Sequence, residues 1–326
     1  MEPPRQGAAR SRPLWYSCFL LNTFAPLSRP FWTSSDDPPG EVAVYSKIIV
    51  GYNGSSEAND ALALGALMAK STDGSLLVAY VHAEQPKFEG HKRDFQAARR
   101  TETTGVLDSA RNRIPAGVKA EVTALGSPYP AQGLQKLAKS ERADLLAIGS
   151  THHGPVGRVI VGSAGEVLLS GTSCAVTVAP RGFQSKQAAL DTIGVAFDAS
   201  PESKVALRSA SSLASKLGAK LRVISVSRRS LKGRGGGEGA LEAQVVEVIG
   251  EPPNDLQVDT VVLRGDPASK IIEAADDLDL LVTGSRGRGP LRQALLGSVS
   301  AKLMRSAPCC VLVVPRGASV PAALQQ

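Results

Sequence analysis

Short apolar runs alternate with longer stretches of helical spacing through most of the chain. Ile48-Ile49-Val50 and Leu76-Leu77-Val78-Ala79-Tyr80-Val81 read as buried strands, and between them Ala58, Ala61, Leu62, Ala66 and Ala69 recur at helical spacing. Farther along, the same pattern predicts strands at 221–226, 258–263, 279–283 and 310–314, with helices at 201–217, 267–277 and 298–306. Ser200-Pro201-Glu202 reads as an N-cap, a proline at the first helical position and an acid beside the positive helix end. Gly233-Arg234-Gly235-Gly236-Gly237-Glu238-Gly239 reads as a flexible loop. Strands rich in Val, Ile and Leu that alternate with helices indicate an α/β fold, with a parallel sheet covered on both faces.

The pattern is written twice. Lys47-Ile48-Ile49-Val50-Gly51-Tyr52-Asn53-Gly54-Ser55 matches Thr192-Ile193-Gly194-Val195-Ala196-Phe197-Asp198-Ala199-Ser200 at an offset of 145. Asp144-Leu145-Leu146-Ala147-Ile148-Gly149-Ser150 matches Asp279-Leu280-Leu281-Val282-Thr283-Gly284-Ser285 at an offset of 135, so the first copy carries ten extra residues in its middle. Solenoid repeats are only ~20–50 residues long, so this period marks a duplicated domain. The expected division is an extension at 1–45, a first domain at 46–182, a linker at 183–190, a second domain at 191–316 and a tail at 317–326.

Composition narrows the function classes. The 326 residues include 37 Lys and Arg against 30 Asp and Glu, a net charge of +7. The extension is neutral, the first domain is +3 and the remainder +4, so no basic tail for nucleic acid stands out. No apolar run reaches the ~18 residues of a membrane span. Cys18, Cys174, Cys309 and Cys310 form no CxxC pair, and reduced, partly buried thiols are expected. The extension holds both tryptophans (Trp15, Trp32) and many prolines. Arg5, Arg10 and Arg12 precede an apolar stretch of only about eight residues with no A-x-A-like site after it, so a loosely ordered segment rather than a signal peptide is expected.

The candidate chemistry sits in a glycine pattern. Gly284-Ser285-Arg286-Gly287 follows a strand, and nine residues later Gly297-Ser298-Val299-Ser300 opens a helix. Glycines admit close approach and positive φ, and a helix start offers unpaired N–H groups to phosphate. Ser298 and Ser300 add hydroxyls, and Arg286, Arg288 and Arg292 add positive charge. Neither a P-loop nor a G-x-G-x-x-G fingerprint is present.

These residues resemble the universal stress protein family over 46–316, as two tandem domains. The resemblance rests on the first-strand ends (Asn53-Gly54-Ser55 and Asp198-Ala199-Ser200), on the glycine pattern of the second copy, and on terminal strands ending at Pro180 and Pro315. It implies two open-sheet domains, each a mostly parallel five-stranded sheet of the adenine-nucleotide alpha hydrolase-like kind. It also implies binding of ATP or a related adenine nucleotide, with Mg²⁺ as its companion. A cytoplasmic stress-response regulator, pairing through the terminal strands within one chain or as a homodimer, is the expected role. Carried over, the nucleotide residues of the second domain are Ala196, Phe197, Asp198, Val226, Gly284, Arg286, Gly287, Gly297, Ser298, Val299 and Ser300.

The first copy departs twice. Asn53 stands where the acid is expected and His152 where the second glycine is expected, while Gly149, Gly162, Ser163 and the second-strand Val81 remain. The second domain is therefore the expected principal site. His82, His91, His152 and His153 show no metal-ligand spacing and are expected as solvated loop residues. No nucleophile elbow is present. The alternative is an ATP-hydrolysing or adenylating enzyme of the related ATP pyrophosphatase-like fold. It would need a base or metal carboxylate beside the phosphates, and residues 284–300 contain neither Asp nor Glu.

Overall fold

A computed structural model describes residues 45–83, 92–151, 156–186, 189–227, 237–252, 255–285 and 296–315. The first repeat runs β1 (Lys47–Gly51), α1 (Ser56–Ser71), β2 (Ser75–Ala83), α2 (Lys92–Arg113), β3 (Lys119–Ser127), α3 (Pro130–Ser140), β4 (Leu145–Gly149), α4 (Ser163–Gly171) and β5 (Ala175–Ala179). After a 3-10 turn at Gln184–Lys186, the second runs β6 (Thr192–Ala196), α5 (Pro201–Leu217), β7 (Lys220–Ser227), α6 (Gly237–Ile249), β8 (Val258–Arg264), α7 (Pro267–Ala274), β9 (Leu280–Gly284), α8 (Ser298–Ser306) and β10 (Cys310–Val314). The extra length of the first repeat lies in α2, with 22 residues against 13 in α6, and in α3, with 11 against 8 in α7.

All ten strands form one sheet in the order β3-β2-β1-β4-β5-β10-β9-β6-β7-β8. Within each repeat every pairing is parallel. The seam between repeats is antiparallel and sets Val178 opposite Val311, Thr177 opposite Leu312 and Val176 opposite Val313. The Thr177 hydroxyl crosses this seam to the Val311 carbonyl at 3.2 Å. Strands buried on both faces account for the uninterrupted apolar runs of β4, β9 and β10. One apolar cluster beneath α1 and α5 draws on both repeats, from Ile48 and Leu64 to Leu207 and Leu312.

Local sequence explains the starts of the helices. Ser55 caps α1 by accepting from the Ala58 N–H at 3.1 Å, and Ser200 caps α5 by accepting from Ser203 at 3.2 Å, with Pro201 in the first turn. Gly218 ends α5 at φ 65°, the left-handed geometry that favours glycine. The Asp-Leu-Leu match has a structural origin. Asp144 accepts from the N–H groups of Ser46 and Lys47 at 3.0 Å, and Asp279 from those of Asp191 and Thr192 at 2.9 Å. Each carboxylate thus pins the entrance of the first strand to the strand beside it. Asp60 is buried in α1 and takes the N–H groups of Gly182 and Gln184, both at 2.8 Å, which fastens the start of the connection between repeats.

Two expectations change. The helix expected at 267–277 stops at Ala274, because Ala275 turns back to the Ile272 carbonyl and delivers Leu278 into the core. The expected glycine loop overlaps α6, which begins at Gly237. Burial of Leu241 and Val245 supplies the stability that outweighs helical glycines, at about 1 kcal/mol each. Residues 233–236 lie outside the described residues.

Candidate functional site

In each repeat the strand order reverses between the first strand and the fourth, β1 and β4 or β6 and β9. Crossover helices leave to opposite faces there, so a crevice opens beyond the strand ends. In the first repeat it is a cleft of about 450 Å³, bordered by the ends of β1 and β4 and the starts of α1, α3 and α4. Ala79, Val81, Ala131, Leu134 and Ile148 give it apolar walls, while Asn53, Ser55, Ser150 and Thr151 supply polar groups. The positive ends of α1 and α4 both reach this cleft, through Ser55, Glu57 and Ala58 and through Gly162, Ala164 and Gly165.

The β1 and β6 ends have the same construction despite the Asn-for-Asp difference. Asn53 Oδ1 accepts from the Ser55 N–H at 3.1 Å, and Asp198 Oδ1 accepts from the Ser200 N–H at 3.0 Å and the Ser200 hydroxyl at 2.5 Å. The next residue is left-handed in both, Gly54 at φ 83° and Ala199 at φ 60°. Tyr52 and Phe197 each donate their N–H across to the second strand at 2.9 Å. The Phe197 ring is buried in the core.

The glycines have packing roles within the fold. A Cβ on Gly149 would sit 2.0 Å from the Glu57 carbonyl oxygen, and one on Gly284 3.0 Å from Glu202. The first glycine of the pattern therefore makes room for the start of the helix that follows the first strand, α1 against Gly149 and α5 against Gly284. Gly162 (φ −82°) and Gly297 (φ −69°) cap α4 and α8 in ordinary extended geometry, with no side-chain bond to the first turn. Positive φ is not their reason. A Cβ on Gly162 would meet the Thr151 side chain at 3.0 Å.

Ser300 has a partner within the protein. It is buried, and its hydroxyl donates to the Gly284 carbonyl at 2.7 Å, which fastens α8 to the end of β9. Ser163 and Ser298 remain exposed at the first turns of α4 and α8. Ala196, Val226 and Val299 come together on one apolar cluster with Ile224, Ile271 and Leu281. Arg286, Gly287 and His152 lie outside the described residues.

Sequence reasoning missed Ser150 and Ser285, although both follow the fourth-strand glycine. Buried Ser150 accepts from the Ile160 N–H at 2.8 Å, and the Ser285 carbonyl accepts from the Gly297 N–H at 2.7 Å, so each brings the helix-capping segment back to the strand end. It also missed Ala131, Leu134 and Ala164, whose spacing looks like ordinary core. His82 belongs to β2, not to a loop, with Nδ1 buried and its ring 6.3 Å from that of Tyr80. Among the described residues no cluster of His, Cys, Asp and Glu could hold a metal, and no helix is long and apolar enough to cross a membrane.

Comparison with known proteins agrees with the twofold pattern. A sequence model of the Universal stress protein family matches residues 45–180 and again 189–315. A universal stress protein of Mycobacterium tuberculosis is 26% identical over 293 residues, covering 82% of this chain and 99% of the relative. One from Thermus aquaticus is 33% identical over 137 residues, covering 38% of this chain and 97% of the relative. The crystal structure of a universal stress protein from Archaeoglobus fulgidus superposes with a TM-score of 0.64 at 24% identity, over 83% of this chain and 98% of that one. With the family matched twice along its length, this chain belongs to the universal stress protein family as a member with two domains in tandem.

Proposed function

We propose that the protein binds ATP or a related adenine nucleotide and acts in the cytoplasm as a stress-response regulator rather than as an efficient enzyme. The observation that carries this reading is the cleft at the strand-order reversal. Its 450 Å³ lies in the range of small-molecule sites, about 300–1,000 Å³. Its apolar floor of Val81, Ala131 and Leu134 suits a purine, and the α4 start at Gly162 suits phosphate oxygens. Asn53 supplies a donor and an acceptor for ribose or base, while Glu57 and Ser55 form its rim.

The second repeat repeats the plan with Asp198, Val226, Gly297 and Ser298, and its loop sequence adds Arg286, Arg288 and Arg292. That charge makes it the tighter site for a polyphosphate. Mg²⁺ would ride on the phosphates and water.

Native mass spectrometry of gently purified protein tests the reading, with one or two adenine nucleotides retained per chain as the expected result. Titration with ATP then ranks the sites, since Gly297→Val should remove more binding than Gly162→Val. Protein that retains no nucleotide and gives no heat with ATP overturns the proposal.

A further inference from the structure

The segment that leads into Gly162, on the border of the first cleft, is bonded to the helix that starts the second site. The Val159 N–H donates to the Ala307 carbonyl at 2.9 Å and the Val161 N–H to the Met304 carbonyl at 3.1 Å. Arg158 reaches the Ser306 carbonyl at 3.4 Å, and Arg305 pairs with Glu166 of α4 at 2.7 Å. Val159 and Val161 are buried in one cluster with Met304 and Ala307. Leu296, immediately before the α8 cap Gly297, packs against that same cluster.

Residue 161 leads directly into Gly162, the cap of α4, so the clamp and the first anion site share one short stretch of backbone. At the other end α8 is a rod of nine residues, about 13 Å long at 1.5 Å per residue. Its last turn receives the first repeat, and its first turn offers N–H groups to the second site.

We propose that α8 couples the two nucleotide sites, so that occupancy of either repeat raises the affinity of the other. This rests on the nucleotide reading above. Phosphate held at Gly162 favours the ordered segment 156–162, of which Arg158, Val159 and Val161 bond to the last turn of α8 and its cap while Gly157 and Ile160 bond within the first repeat. That order lowers the conformational entropy still to be lost when phosphate binds the first turn of α8. Linkage requires the reverse effect to be equal in size.

Calorimetric titration of the full chain with Mg-ATP tests the coupling. Ser163→Glu and Ser298→Glu each place a carboxylate on an exposed first turn, which repels phosphate at one site and spares the core. The expected result is that each variant's remaining site binds at least about five-fold more weakly than in wild type, by the same factor in both. In Ser163→Glu, filling the second site should also slow amide exchange at Val159 and Val161. Two sites in wild type whose affinities survive in the variants within about two-fold, with exchange unchanged, overturn the coupling alone. A wild-type chain that takes up one nucleotide also overturns it, and one that takes up none removes the nucleotide reading as well.

Discussion

The Ser300 hydroxyl donates to the Gly284 carbonyl at 2.7 Å, across the short gap between the first turn of α8 and the end of β9. The two residues frame the glycine pattern of the second repeat, yet their bond is internal. Ser300→Ala should therefore lower stability by about 1 kcal/mol, the usual net worth of one hydrogen bond, and leave ATP affinity within about two-fold of wild type. Urea unfolding and titration of the same variant check this. A large loss of affinity with unchanged stability would return Ser300 to direct phosphate contact. The first repeat has Gly165 in this place, so the hydroxyl is a feature of one repeat only.

The thiols carry a pH dependence. Burial pushes Cys174 and Cys309 up from the ordinary 9.0 to about 12, and Cys310 is raised in the same direction. The folded state keeps them neutral while the unfolded chain ionises them from pH 9 upward. Their contribution to stability is full below pH 9 and is lost progressively toward pH 12. Unfolding midpoints measured from neutral to alkaline pH should fall, and fall less steeply in a Cys174→Ala, Cys309→Ala variant. Equal slopes in the two proteins would refute this.

Pairing of the repeats should persist in solution. β5 and β10 are apolar, buried and joined edge to edge, and separation would expose both as templates for association. Expressed apart, residues 46–182 and 191–316 are expected to dimerise or aggregate. Light scattering that finds two stable monomers would argue against the pairing.

Turnover is expected to be slow. Phosphoryl transfer needs a placed nucleophile and metal held in part by carboxylates, and residues 284–300 contain no Asp or Glu. Phosphate release with Mg-ATP should fall orders of magnitude below the median enzyme rate of about 10 per second. Fast release that disappears in Gly297→Val would replace the regulator by an ATPase.

The sequence by itself determined the duplication, the α/β class and most element positions. Apolar runs such as Leu280 to Thr283 and caps such as Ser200-Pro201 are local signals, decided within a few residues of chain. The tertiary structure decided what those signals could not contain. Gly149 is glycine because Glu57 lies against it, and Phe197 turns into the core although its neighbour Asp198 is exposed. Val159 and Val161 find their acceptors at Ala307 and Met304, at the end of α8 and almost the whole second repeat away. Each of these depends on chain segments that the folded sheet brings together. Spacing along the sequence carries no trace of such contacts, because they are set by which strands lie side by side and which helix ends then share the space above them.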